Sequence, residues 1–253
     1  MDNTTFEQHR QTWVNEWPDK WRPLDIDFET YMVMKGMSLD EYKSMNAESP
    51  SMNKIGIDVG ACIGESLDQF KGFHTVYAIE PGPEEFFQLE RKETEFKNYI
   101  PINSVVGLEN GEVEFITYHN GRFSSMLEFN KDTKFYKYCE DTCESFDDLK
   151  EKINVKCIRL DSLIEENNIK EIEYIKIDTQ GTDLDVVKSL GDKISIVKKI
   201  SLEIQLEELY KGSSTKDEVF SYMFMNNFRH DDDNNHYDNG YEKDFVFINN
   251  RFY

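Results

Sequence analysis

Residues 54–66 read K-I-G-I-D-V-G-A-C-I-G-E-S, an apolar strand that delivers Asp58 and then breaks at Gly60 and Gly64. This is the outline of a nucleotide-binding turn. Its glycines permit unusual backbone angles and close approach to a ligand, and the helix expected after it offers free N–H groups. A dinucleotide fingerprint, G-x-G-x-x-G, would need glycine at 60, 62 and 65, yet the chain has Cys62 and Glu65. A carboxylate at the mouth of the following helix also opposes a pyrophosphate there. The turn therefore fits a nucleoside ligand that carries no phosphate.

S-adenosylmethionine is such a ligand, with an ammonium at one end and a sulfonium at its centre. An acidic strand end such as Asp58 suits it. Glu80, which ends the next apolar run T-V-Y-A-I-E, can accept both ribose hydroxyls, as acidic residues do in α/β nucleotide sites generally.

Outward from this turn, short apolar runs alternate with helical patterns as far as about residue 228, the signature of βαβ units and a parallel sheet. The strand candidates are I-G-I-D-V, T-V-Y-A-I-E, Y-I-P-I-N, Y-I-K-I-D and K-I-S-L-E-I. P-E-E-F-F-Q-L-E-R-K and D-L-D-V-V-K-S-L read as amphipathic helices, the first opened by Pro83 at a favoured initial position. Residues 111–160 interrupt the alternation: Asn110-Gly111 is a hairpin signal, E-V-E-F-I-T-Y alternates like a half-buried strand, and V-K-C-I-R-L resembles its partner. An antiparallel β-hairpin insertion on one sheet edge is expected. Near the chain's end, H-D-D-D-N-N-H-Y-D-N-G reads as a solvated loop before a closing strand, K-D-F-V-F-I-N. His230 and His236 with the three aspartates suggest an exposed loop more than a cation site.

Residues 1–53 differ from the rest. Trp13, Trp17 and Trp21 fall at helical spacing broken by Pro18, a methionine-rich segment follows, and Ser38 with Glu41 forms a capping-box pattern. We expect an N-terminal helical extension that packs on the main domain of residues 54–253 as a lid, a substrate wall or a dimer contact, the last leaving room for a homo-oligomer.

The formal charge is −21, from 50 acidic against 29 basic residues, which disfavours nucleic acid because there is little basic surface to release counterions from a phosphate backbone. The four cysteines, Cys62, Cys139, Cys143 and Cys157, lack the dense spacing of a disulfide framework and read as reduced thiols. Cys139 and Cys143 lie one helical turn apart, but no second pair follows at zinc spacing, so no metal site is expected. The sequence has no apolar run of about 18 residues and no basic-then-apolar leader, so we expect no membrane span and a cytoplasmic protein.

Four motifs in order then resemble the FkbM family of methyltransferases: I-D-V-G-A-C-I-G-E-S, A-I-E-P-G-P-E-E-F-F-Q-L, I-R-L-D-S-L-I, and I-E-Y-I-K-I-D-T-Q-G-T-D-L-D-V-V. The resemblance runs on through I-S-L-E-I-Q and K-D-F-V-F-I-N, and I-K-I-D-T-Q-G is its most specific element. The family tolerates a non-glycine at the middle of the first turn, which accounts for Cys62.

The resemblance implies an α/β class I methyltransferase fold, Rossmann-like, with a mostly parallel seven-stranded sheet and an antiparallel last strand. It also implies S-adenosylmethionine-dependent O-methylation of a hydroxyl, most often on a sugar of a glycan, glycolipid or glycosylated metabolite. Asp58, Gly60, Ala61, Cys62 and Gly64 would line the methionine end, Glu80 and Pro81 the ribose, and Asn103 and Ser104 the adenine.

Asp178, at the end of the fourth parallel strand, is the first catalytic candidate and also faces the cofactor; Glu203 closes the fifth strand beside it. The pair could hold a divalent cation, although none is expected. Gln180, Ser124 and Ser125 are substrate-side candidates. Lys176, alternating with Ile175 and Ile177, reads as pointing to the opposite face in a structural role, and Asp161 as a helix cap that the family motif makes worth testing. Two rivals remain: RNA ribose 2'-O-methylation, which would need a basic channel, and a non-catalytic scaffold that binds S-adenosylmethionine without transfer.

Overall fold

The computed structural model describes residues 54–252 apart from 95, 144 and 233–236. The extension expected over residues 1–53, and His236, lie outside the described residues.

Ten strands are named in chain order: β1 (Ile55–Val59), β2 (Thr75–Ile79), β3 (Asn98–Ile102), β4 (Val105–Val106), β5 (Gly111–Tyr118), β6 (Leu149–Ile158), β7 (Tyr174–Ile177), β8 (Lys199–Gln205), β9 (Phe228–His230) and β10 (Glu242–Asn249). The helices are α1 (Pro83–Leu89), α2 (Lys134–Thr142), α3 (Leu160–Glu166), α4 (Asp183–Lys188) and α5 (Lys216–Met225). Seven strands make one sheet in the order β3-β2-β1-β7-β8-β10-β9. Its left part is parallel throughout, and β10 enters antiparallel between β8 and β9. This is the class I methyltransferase arrangement the sequence leads one to expect.

The apolar runs of β1 and β2 follow from burial on both faces, the usual state of parallel strands covered on each side. Pro101 is tolerated because β3 is an edge strand, where a missing N–H breaks no second ladder. One aliphatic core spans β1, β7, β8 and β10 and includes Ile57, Ile175, Leu202 and Phe247. A second core is mostly aromatic: Phe129, Phe135, Tyr136 and Phe146 of the insertion pack with Tyr210, and Phe129 is stacked on Tyr210 at 4.9 Å between centroids.

Three expectations need correction. The residues after β1 form a short 3-10 turn, Ser66–Phe70, and no α-helix, because Gly60, Cys62 and Gly64 all take positive φ and leave too little chain before β2 for helical turns. The insertion is a separate three-stranded sheet, order β4-β6-β5, and not an added edge of the main one. Asn110-Gly111 is no hairpin turn, since β4 and β5 both pair with β6 and not with each other. Asn110 instead accepts the Arg159 N–H at 2.8 Å and donates to Ser162 at 2.8 Å. The strand pairing itself is as expected, with Val113 opposite Val155.

Candidate active site

A cavity of about 600 Å³ opens at the carboxyl ends of β1, β2, β7 and β8, within the range of cofactor and small-molecule sites. Its first wall is the turn after β1. Cys62 has φ +48, so a side chain occupies a left-handed position that normally favours glycine. The strained turn is held by its own backbone: the Cys62 N–H donates to Glu80 Oε2 at 2.9 Å, and the Gly82 N–H donates to Glu80 Oε1 at 2.7 Å. Burial pushes the Glu80 carboxyl up to about 7 in spite of these two donors. Each Glu80 oxygen keeps a lone pair for a further donor. Burial and the nearby Glu80 push the Cys62 thiol up to about 11, which makes it a poor nucleophile.

Gly60 is required for another reason than ligand approach. Its φ is +79, and a Cβ there would lie 1.8 Å from the Asp178 carbonyl oxygen, so the β1 turn is pressed against the end of β7. Gly64 likewise abuts Leu67 and Leu89 and does not line the cavity. Asn103 does not line it either; its side chain donates to the carbonyls of Glu80 and Pro81 at 2.9 and 3.2 Å and so braces the loop after β2. Ala61, Pro81 and Ser104 do line it, although the Ser104 hydroxyl is directed at the carbonyls of Val105 and Lys156.

Asp58 lies beneath the floor, fully buried. Its Oδ2 accepts from Ser66 Oγ at 2.5 Å, while Oδ1 has no hydrogen-bond partner. Burial raises its carboxyl, against the pull of Lys176. An orphaned carboxylate oxygen beside the cavity, a second carboxylate with spare lone pairs on β2, and the lack of room for phosphate charge at Glu65 fit a cationic nucleoside such as S-adenosylmethionine.

The opposite wall is β7 and its turn. Lys176 does not point away as its alternation with isoleucines suggests; it lines the cavity, and its Nζ lies 2.9 Å from Asp178 Oδ2. The other Asp178 oxygen, Oδ1, accepts from Gln180 Nε2 at 3.1 Å. The same Gln180 nitrogen donates to Glu203 Oε2 at 3.0 Å, and Gln180 Oε1 accepts from the buried Tyr210 hydroxyl at 3.2 Å. Gln180, expected on the substrate side, is thus a clamp between two carboxyl groups, and its φ of +54 shows the backbone strain that holds it there.

Asp183, in the first turn of α4, accepts the N–H groups of Thr179 and Gly181 at 3.3 Å each. That relieves Asp178 of the capping task. The two strand-end carboxyl groups then diverge. Burial alone would raise Asp178, but the Lys176 ammonium, with hydrogen bonds from Glu203 and Gln180, holds the group below the usual range. Burial and the neighbouring Asp178 charge push Glu203 well above its own. Such a split disposes Asp178 to carry the charge of the pair and Glu203 to hold its proton.

The roof comes from the insertion. A 3-10 turn, Gly121–Phe123, crosses the cavity, with Arg122 in a two-pronged ion pair to Glu65 at 2.7 Å to each oxygen. Gly121 sits directly on the Glu85 carboxylate of α1, and Tyr210 donates to the Phe123 carbonyl at 2.9 Å. Ser124 lines the cavity; Ser125 is fully buried and donates to the Gln180 carbonyl at 2.8 Å, so it supports the site without facing it. Asp161 lies elsewhere, paired with Arg159 at 2.5 Å, and is no helix cap. Lys176, Tyr210, Arg122 and Glu242 were missed as site residues; only Lys176 had a signal, its place in K-I-D.

The model of the FkbM methyltransferase domain matches residues 58–235. The chain belongs to the FkbM methyltransferase family. Among solved structures, this FkbM domain is similar to methyltransferase FkbM from Methylobacillus flagellatus KT, at 15% identity and TM-score 0.48 over 96% of this chain and 58% of that one. M. capricolum TrmK, solved with S-adenosyl-homocysteine, aligns at 11% identity and TM-score 0.38 over 79% of this chain and 64% of its own. Magnesium protoporphyrin IX methyltransferase from Synechocystis PCC 6803, solved with S-adenosylmethionine, aligns at 8% identity and TM-score 0.43 over 98% of both chains. The chain thus spans less than two thirds of the first two. No curated protein matches the sequence. Among the described residues, no group of three or more His, Cys, Asp or Glu could hold a metal ion, and no helix is long and apolar enough to cross a membrane.

Proposed function

We propose that this methyltransferase transfers a methyl group to a hydroxyl oxygen, on a sugar of a glycan, glycolipid or glycosylated metabolite, with Asp178 accepting the hydroxyl proton. S-adenosylmethionine, when bound, supplies a methyl group activated by its sulfonium. Glu80 would hold the ribose hydroxyls on its spare lone pairs, the Gly60–Cys62 turn and Pro81 would flank the nucleoside, and Asp58 would attract the ammonium from below. Ser104 stands on the adenine side.

The observation that carries the reading is the Asp178 carboxyl fixed at the cavity wall by Lys176 and Gln180. Displacement at a methyl group needs the acceptor oxygen held in line, which is mostly a matter of positioning, and a nearby base adds the removal of one proton. Glu203, the member of the pair disposed to hold a proton, would steady Asp178 through the hydrogen bond between them. Ser124 and the roof residue Phe123 would contact the acceptor ring. The charge of −21 weighs against RNA as acceptor.

The test is calorimetric titration with S-adenosylmethionine and S-adenosylhomocysteine, with NAD as control, followed by methyl transfer to a panel of sugar hydroxyls. D178N should keep cofactor affinity within a few-fold and lose about a hundredfold or more in kcat. Binding without transfer to any hydroxyl, or transfer to amines alone, would overturn the proposal.

A further inference from the structure

Lys176 is a buried cation with no assigned task. Its side chain is 12% exposed and touches Asp178 at 2.9 Å. The parallel register of β1 on β7 sets Lys176 beside Asp58, so a single ammonium serves the fully buried Asp58 carboxyl and the half-buried Asp178 carboxyl. We infer that Lys176 is a positioning residue whose ammonium keeps Asp178 ionised, and so able to take the acceptor's proton, at neutral pH. The inference rests on the reading of Asp178 as proton acceptor.

Among the described residues that line the cavity no other cation is free for this task, and the hydrogen bonds that Gln180 and Glu203 make to Asp178 act in the same direction. The titratable groups facing Asp178 are acidic on every neighbouring element: Asp58 on β1, Glu80 on β2, Asp183 on α4, Glu203 on β8, and Glu242 on β10, with Asp244 lining the same cavity. The other cation on the cavity wall, Arg122, has its guanidinium committed to both oxygens of Glu65. Carboxylates crowded in a buried site without a cation take up protons, because neither burial nor mutual repulsion permits all of them to ionise. A buried lysine next to them reverses that, and its charge is little screened by water.

The geometry also divides the two oxygens of Asp178. Oδ2 faces the ammonium and Oδ1 faces the Gln180 amide, so the carboxylate plane is fixed. Lys176 therefore acts through Asp178: it sets that group's charge and orientation and need not touch the acceptor.

The test pairs two readouts on K176M, K176R and the double variant D58N/K176M. In the ligand-free proteins, 13C NMR of the aspartate carboxyls should find Asp178 titrating below the ordinary range in the native protein and in K176R. It should titrate above that range in K176M, and fall back part of the way in D58N/K176M, where one competing carboxyl is gone. In methyl transfer, the acid limb of the kcat/KM profile should move up in K176M, and at any pH where both proteins are on that limb each unit of displacement is about a tenfold fall in rate relative to the plateau at about pH 9.

A pH-independent loss of activity with Asp178 titrating as in the native protein would overturn the inference and leave Lys176 a packing residue. If the native protein transfers no methyl group, the proposed function fails, and the NMR titration still decides the charge assignment. Should K176M not fold, Asp178 titrating in K176R above the ordinary range would likewise overturn it.

Discussion

Gly60 and Cys62 occupy the same turn with opposite consequences. At Gly60 the positive φ and the 1.8 Å approach to the Asp178 carbonyl exclude any side chain. Gly60→Ala should therefore destabilise the protein by about 3 kcal/mol or more, read as a lower urea midpoint at unchanged m-value. At Cys62 the left-handed backbone is held by the N–H donated to Glu80, and no Cβ clash forces the issue. Because its thiol is pushed up to about 11, Cys62 should be alkylated by iodoacetamide at pH 7.5 about a hundredfold more slowly than free cysteine. At this scale the sequence is legible where a residue type has one physical use: Asp58, Glu80 and Asp178 stand at strand ends because the alternation puts them there. It is illegible where partners arrive from elsewhere. Nothing near Tyr210 or Arg122 in the chain signals that they reach Gln180 and Glu65, and the period-two rule misplaces Lys176 because strand-end residues escape the two-faced burial that the rule assumes.

Among elements, the parallel strands and the pairing of β5 with β6 could be read from apolar runs, since burial on both faces or one leaves a compositional mark. The separate second sheet could not, because the residues around Asn110 mark a turn without saying which strand the chain then joins. Nor could the 3-10 turn after β1, where three positive-φ positions override helical pattern. The roof turn Gly121–Phe123 is held by contacts of unequal worth. The Arg122–Glu65 pair has side chains 62% and 54% exposed, so salt and side-chain entropy leave it little net stability. Arg122→Ala should shift the unfolding free energy by no more than about 1 kcal/mol while raising the acceptor KM, which differential scanning calorimetry and steady-state kinetics would separate. A large loss of stability would mean that the roof depends on this pair and not on Gly121 and Tyr210.

For the molecule as a whole, charge sets the pH response. Glu80, Asp183 and Glu242 are each pushed up to about 7, chiefly by burial. The folded state then holds more protons than the unfolded one between the ordinary carboxyl range and neutrality, so the stability they contribute is complete at low pH and is lost as pH rises through about 7. Asp178, Asp147 and Asp161 lie below the usual range, and their contribution is lost as pH falls through it. The ligand-free protein should melt several degrees higher near pH 5.5 than at pH 8 by scanning calorimetry, a difference that about 1–2 kcal/mol produces in a chain of this size. The repulsion implied by a charge of −21 acts in the same direction.

The place of β10 bears on how such a chain is made. It lies between β8 and β9, yet both of those precede it in synthesis. Until residue 249 has left the ribosome, β8 presents a bare apolar ladder and β9 has nothing to pair with. The nascent domain must therefore wait, half-assembled, with all but the β10 side of its cavity translated and its sheet still open, and this is the interval in which a chaperone would have most to hold.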